Sequence, residues 1–240
     1  MPSRSQKVSK QDELFLVEAC DATIVVSEVE AQIIGQSIAD ANIAVIPLFG
    51  DVVNRVNSYE KRLNIGFIGG YQHPPNVDAV KYFVADIWPL VRSRIKDCKF
   101  IIAGSNVSDE VNGLASKSVE IRGFVPTVGE FLEDVRVMVA PLRYGAGIKG
   151  KIVSGLCHGV PQVVSHEASE GMGLEHNRDL MIAQSAEQFA DLIIKLYNDQ
   201  ELWEKMADNA TKAAERLYSK EVLSVKISDL LDEMKPYGDS

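Results

Sequence analysis

From Leu63 onward the chain repeats one unit: an apolar run of strand length, a segment with helical periodicity, then another apolar run. The runs cover residues 63–68, 99–103, 119–125, 137–142 and 161–164. They are apolar throughout instead of alternating, as strands buried on both faces must be. Such an order predicts an α/β fold, a Rossmann-like open parallel sheet with helices on both faces. The longest crossover, residues 76–95, carries Val77, Val80, Phe83, Val84, Ile87 and Leu90 on one stripe.

One unit adds chemistry to this pattern. Residues 137–142 lead into Gly145-Ala146-Gly147-Ile148-Lys149-Gly150-Lys151, followed by a short helical pattern and a second apolar run ending at Ser165. Backbone N–H groups and ammonium groups then meet at a helix start, where the dipole also favours negative charge. A phosphate or diphosphate is the expected ligand. The glycines at 145, 147 and 150 fit the dinucleotide spacing G-x-G-x-x-G, with Glu167 as the ribose acid, but that fingerprint opens the first unit of a domain and here several precede it. Residues 145–151 also read G-x-x-x-x-G-K, yet Ile152 replaces the Ser or Thr that would hold magnesium. A plain glycine turn with solvated lysines is the alternative.

The chain of 240 residues is acidic, net −9, which argues against a general nucleic-acid binder and makes the local cluster Arg143, Lys149, Lys151 stand out as an anion site. Cys20, Cys98 and Cys157 form no C-x-x-C pair and read as buried thiols of a reducing, cytoplasmic compartment. The four histidines show no ligand spacing, so no metal is expected. No run is long and apolar enough for a membrane span.

Toward the N-terminus, strand candidates cover residues 23–26 and 42–48, and Ser27-Glu-Val-Glu30 is a capping box for a helix over residues 31–36. Residues 50–62 look like a linker. Ser185 with Gln188 caps a helix whose stripe breaks near Asn198-Asp199 and resumes to Leu217. A last amphipathic helix is carried by Leu223, Ile227, Leu230 and Leu231.

Several of these stretches together resemble a known family. Phe67-Ile-Gly69-Gly70 with His73-Pro-Pro-Asn76-Val-Asp78, then Gly123-Phe124-Val125-Pro126, Ala140 through Lys151, Gly159-Val160-Pro161 and Glu170-Gly171-Met172-Gly173-Leu174 occur in the order found in the nucleotide-sugar domain of retaining glycosyltransferases with the GT-B fold. The likeness is to the branch of glycosyltransferase family four that carries G-x-G-I-K-x-K, over about residues 63–217. Residues 12–50 resemble the end of that family's acceptor-binding half. The resemblance therefore implies three parts: a remnant of the N-terminal half with a linker over residues 1–55, a donor-binding domain over 56–218, and a C-terminal amphipathic helix over 219–240. It implies a donor half whose chain alone lacks a complete active site, a missing N-terminal acceptor domain as partner, and room for peripheral membrane association of the full enzyme.

Carried over by position, the resemblance implies a nucleoside-diphosphate sugar of UDP or GDP type as donor substrate, with no other cofactor. Gly69 and Gly70 would let backbone approach the phosphates, and Gly145, Ala146, Gly147 and Ile148 would supply N–H groups. Lys149 and Lys151 would neutralise the leaving diphosphate. Backbone at Phe124 and Val125 would read the base. His73 and Glu170 would face the donor sugar, and Tyr144 would flank the nucleotide or pack at the strand end. Ala146 and Ser154 stand where many members carry two glutamates eight positions apart; Ser154 would hydrogen-bond a ribose hydroxyl with shorter reach. Two alternatives stay open: a non-catalytic nucleotide-sugar or interaction module, and a dinucleotide-dependent oxidoreductase.

Overall fold

The structure is a computed structural model describing residues 9–53, 57–145 and 147–234. The expected boundary between residues 55 and 56, the tail from 235, and Ala146 lie outside the described residues.

The N-terminal part is α1 (Lys10–Ala19), β1 (Thr23–Val25), α2 (Glu28–Gly35) and β2 (Ile43–Val45), with β1 and β2 pairing in parallel. Ser27 caps α2 as its spacing predicts: the Glu30 N–H donates to Ser27 Oγ at 3.2 Å, while the Glu30 carboxylate reaches back to the Val26 N–H at 3.1 Å.

The main body is a six-stranded parallel sheet: β3 (Asn64–Ile68), β4 (Phe100–Ala103), β5 (Val119–Gly123), β6 (Val135–Ala140), β7 (Gln162–Ser165) and β8 (Met181–Ala183). Spatial order is β5-β4-β3-β6-β7-β8, so the α/β expectation holds. Every residue of β4, β6 and β7 is buried, which is why these runs show no alternation. The crossovers are α3 (Pro74–Tyr82) continuing through a π-helical turn (Phe83–Ile87) into α4 (Trp88–Arg94), then α5 (Asp109–Asn112), α6 (Val128–Glu133), α7 (Gly150–Cys157) and α8 (His166–Ser169). α9 (Ala186–Asn198) and α10 (Gln200–Tyr218) return along the sheet, and α11 (Lys220–Glu233) ends the described chain.

Several sequence expectations shift. The long crossover is interrupted because Pro89 has no N–H to offer the carbonyl four residues back; the helix loosens into a π turn, Leu90 turns outward and Val91 and Trp88 enter the core. β5 stops at Gly123, whose φ of 69° ends the extended path, and Phe124 stands 72% exposed beyond it. β6 begins earlier, at Val135, and β8 was not expected at all; three residues are too few to show a period. Cys20 is exposed, whereas burial pushes the Cys98 and Cys157 thiols up to about 11. α11 forms as expected but buries only Leu230, leaving Ile227 and Leu231 exposed.

The described end of the expected linker is fastened to the body instead of spanning freely. Its 3-10 turn (Tyr59–Lys61) leads to Arg62, fully buried, whose guanidinium donates to the Val135 carbonyl at 3.3 Å and pairs with Glu133 at 3.4 Å. Arg136 lies between the rings of Tyr59 and Tyr197 and donates to the carbonyls of both. These cations bond carbonyls of the 3-10 turn, the start of β6 and the end of α9, so both buried guanidinium groups have partners. The carboxyl ends of the strands remain for other work.

Candidate donor site

Chain order runs outward from β3 to β5, then returns to β6 and runs outward the other way. Renumbered from β3, this is the 3-2-1-4-5-6 order of doubly wound folds, and its reversal falls between β3 and β6. In open α/β sheets ligands bind outside the carboxyl ends at such a reversal. The two glycine-rich segments singled out by sequence, Gly69-Gly70 and Gly145 to Lys151, follow β3 and β6. The topology brings them together.

At the end of β3 the backbone is packed too tightly for side chains. A Cβ on Gly69 would come within 2.8 Å of Asn76 Nδ2. Gly104, with φ of +132°, lies so close beneath that its Cβ would sit 1.8 Å from the Gly69 carbonyl oxygen. Pro74 and Pro75 then open α3, which needs no N–H at its first positions. Asn76, 5% exposed, donates from Nδ2 to the Gly70 carbonyl at 2.8 Å. His73 is the exposed N-cap residue of α3.

At the end of β6, Gly145 and Gly147 take positive φ and Lys149 becomes the N-cap of α7. Its ammonium folds back onto its own loop, donating to the carbonyls of Gly145, at 3.1 Å, and Gly147. Burial lowers its pKa, opposed by the charges of Glu170 and Glu30. Lys151 is more deeply set: its ammonium donates to Asn76 Oδ1 at 2.5 Å and lies 4.7 Å from the centre of the buried Phe67 ring. Burial, with a contribution from Lys149, lowers it to about 8. Neither ammonium is fully solvated: both lysines are partly buried, and Lys151 is held by a side chain from α3. Ile152, where a magnesium-binding hydroxyl would stand, is fully buried in the core.

The other predicted residues are distributed around this centre. Glu170 follows α8, exposed, within electrostatic reach of Lys149. Tyr144 is 48% exposed at the strand end. Ile148 is partly buried against the core and borders a cavity of about 220 Å³ with Gly171, Met172 and Gly173. Phe124 and Val125 lie after β5, two strands from β3. Ser154, on α7, lines a separate cavity of about 500 Å³ with Leu48, Phe49, Gly150 and His158. Arg143 is not free for an anion, since it forms a two-bond pair with Asp78 and covers the Tyr82 ring.

Sequence reasoning missed Asn76, Gly104 and Glu30 as parts of the site. Glu30 was legible only as a capping residue, yet its Oε1 lies 3.3 Å from where a Cβ on Gly147 would stand. Ser27 and Val29 approach Gly171 equally closely. The start of α2 thus abuts both loops that carry Lys149 and Glu170.

The family model for glycosyl transferases group 1 matches residues 62–199. The chain belongs to this family. An uncharacterized 44.6 kDa protein in the cps region of Klebsiella pneumoniae is 26% identical over 172 residues, covering 67% of this chain and 44% of that protein. A point mutant of S. aureus TarM, solved with Fondaparinux, alpha-GlcNAc-glycerol and UDP, superposes with a TM-score of 0.78 at 21% identity, over 93% of this chain and 47% of that one. Anabaena Alr3699/HepE, solved with UDP and glucose, gives 0.75 at 14% identity, over 94% and 68%. These likenesses show the fold, a glycosyltransferase domain of the GT-B kind. The chain spans less than half the length of the Klebsiella protein and of TarM. Among the described residues no helix is long and apolar enough to cross a membrane.

Proposed function

We propose that residues 56–218 bind a nucleoside-diphosphate sugar as the donor half of a retaining glycosyltransferase of the G-x-G-I-K-x-K branch, acting on a glycan or lipid-linked acceptor. The observation that carries this reading is the meeting of both glycine loops at the sheet reversal, with two partly dehydrated ammonium groups between them. The diphosphate lies over Gly69-Gly70 and the start of α7, where unpaired N–H groups and the helix dipole face it. Lys149 exchanges its loop carbonyls for phosphate oxygens, and Lys151 supplies charge from below. As the bond from sugar to diphosphate breaks, negative charge grows on the leaving oxygen. Cations already fixed in a site of low polarity stabilise that charge without reorganising.

Glu170 faces the sugar beside Lys149, and His73 borders it from α3. Backbone at Phe124 and Val125 meets the base, with Tyr144 at its edge. Ser154 hydrogen-bonds the ribose from α7, next to the cavity it lines. An acceptor-binding domain would close over this face. UDP is the first ligand to test, because Alr3699/HepE and TarM were solved with it; GDP is the second. Calorimetric titration with each, with and without EDTA, is expected to show binding that survives the chelator, since lysines supply the positive charge. Absence of heat from both at millimolar concentration overturns the reading.

The oxidoreductase alternative is not favoured. The glycine loop follows the fourth strand of the sheet in chain order, and Glu167 lies exposed on α8, bordering a crevice with Arg143 and Tyr82.

A further inference from the structure

We propose that Asn76 is a positioning residue for the donor site, a single side chain that sets where the Lys151 ammonium points and locks it to the Gly70 turn on the other side of the sheet reversal. The proposal rests on the donor-site reading only for what the ammonium is aimed at; the coupling itself stands on geometry. The two ends of the amide do different work. Nδ2 donates to the Gly70 carbonyl at 2.8 Å, and Oδ1 accepts from Lys151 Nζ at 2.5 Å. The amide is nearly inaccessible to water, and Gly69 has no side chain because the amide occupies the space one would need.

An amide meets both demands. A buried ammonium needs an acceptor, the Gly70 carbonyl needs a donor, and Asn offers one of each on a short stem. Aspartate would keep the shape, accept from Lys151 and face the carbonyl with a second acceptor. Alanine would leave both partners without the bond. The position is well supported from the sequence side as well. Pro74 and Pro75 fix the first turn of α3, so the third helical residue is held with little freedom before its side chain makes a contact. A long flexible lysine, which would otherwise sample many rotamers, is thereby held against the Phe67 ring before any ligand arrives.

The charges around the ammonium make its titration a direct report on this contact. Lys149, on the same loop, is the only charge acting appreciably on Lys151 among the described residues, and burial does the rest. Among the described residues no carboxylate supports Lys151, and the Asn76 amide oxygen is its polar partner. Exchanging that oxygen for a carboxylate must raise its pKa, and removing it must lower the pKa further.

The test measures Lys151 itself, in the free protein, by NMR titration of ¹³C-labelled lysine side chains, with Lys151→Met assigning the signal. Folding of each variant is checked by thermal melting. Asn76→Asp is expected to move the Lys151 midpoint upward by at least about one pH unit, and Asn76→Ala to move it downward. In parallel, UDP affinity at neutral pH is expected to fall about tenfold in Asn76→Asp, because a fixed carboxylate competes with the diphosphate for the ammonium. Should either variant fail to fold, the other still reads the midpoint. An unchanged midpoint in a folded variant overturns the proposal. Midpoints that move while nucleotide affinity stays at the parent's value overturn the claim that the held ammonium faces the diphosphate. A parent that binds neither UDP nor GDP while its midpoints respond sinks the donor reading and leaves the Asn76–Lys151 coupling standing.

Discussion

Raising the pH from about 7 to 9 should weaken nucleoside diphosphate binding about tenfold through Lys151 alone. The ammonium of Lys151 titrates near 8 in the free protein because burial disfavours its charge. About nine-tenths of molecules carry that charge at pH 7 and about one-tenth at pH 9. If the diphosphate engages the charged form, binding at the higher pH must first restore a proton. That step costs about 1.4 kcal/mol, the equivalent of a tenfold change. The phosphate groups themselves interfere little, since their last ionisation lies near 6 and is already about nine-tenths complete at the lower pH. Calorimetry at constant ionic strength, in two buffers of different ionisation heat, measures affinity and proton uptake together. Close to one proton should be taken up per ligand near pH 9.

The same lysine should move stability the opposite way. Its folded value lies below its ordinary one, so the folded state holds fewer protons than the unfolded chain between about 8 and 10.5. Its destabilising contribution is full below pH 8 or so and is relieved as pH rises toward about 10.5. Binding that weakens while this part of the stability grows is not what alkaline unfolding would produce. Lys151→Met should flatten both profiles. An affinity that falls equally in parent and Lys151→Met, or does not fall at all, refutes the assignment.

Lys149→Ala should weaken UDP or GDP binding by about 1.5–3 kcal/mol, the range of a charge-assisted hydrogen bond, read by calorimetry. Lys151→Ala should weaken the same binding by a similar amount, and its stability relative to the parent should fall as pH rises from about 7 to 10.5, because the parent is relieved of its buried charge over that range. Gly104→Ala should destabilise the fold by several kcal/mol or prevent folding, since its Cβ would overlap the Gly69 carbonyl; soluble expression and urea melting decide this. Asp179, although its burial acts to raise its pKa, is held below the usual carboxylate range by the Arg178 and Glu175 N–H groups and the charges of Arg216 and Arg178. Its contribution should persist above about pH 4 and fade as acid protonates it, so Asp179→Asn should lower melting temperature at pH 7 and narrow the difference near pH 3.

What could be read from the chain was what repeats. Apolar runs at regular spacing gave the strand order along the chain, and two glycine-rich segments marked where a phosphate would rest. The fastening of the site could not be read that way, because it is made by single polar side chains reaching across long stretches of sequence. Asn76 looked like the polar start of a helix; it is the link between a turn after β3 and a lysine after β6, 75 residues away. Glu30 looked like a cap, which it is, but its other oxygen borders Gly147. Lys151 reads in the sequence as one more cation of a glycine loop, and the structure places its ammonium against the buried Phe67 ring. A glycine in sequence announces only that no side chain fits. Which group occupies the space is decided by the neighbour that arrives from elsewhere: Asn76 at Gly69, the Gly69 carbonyl at Gly104, Glu30 at Gly147 and Val29 at Gly171. Three of these four neighbours are side chains, and two of those, Glu30 and Val29, belong to α2, outside the matched family residues. The loops that carry Lys149 and Glu170 are therefore shaped by a segment that the glycine pattern of the donor half does not mention.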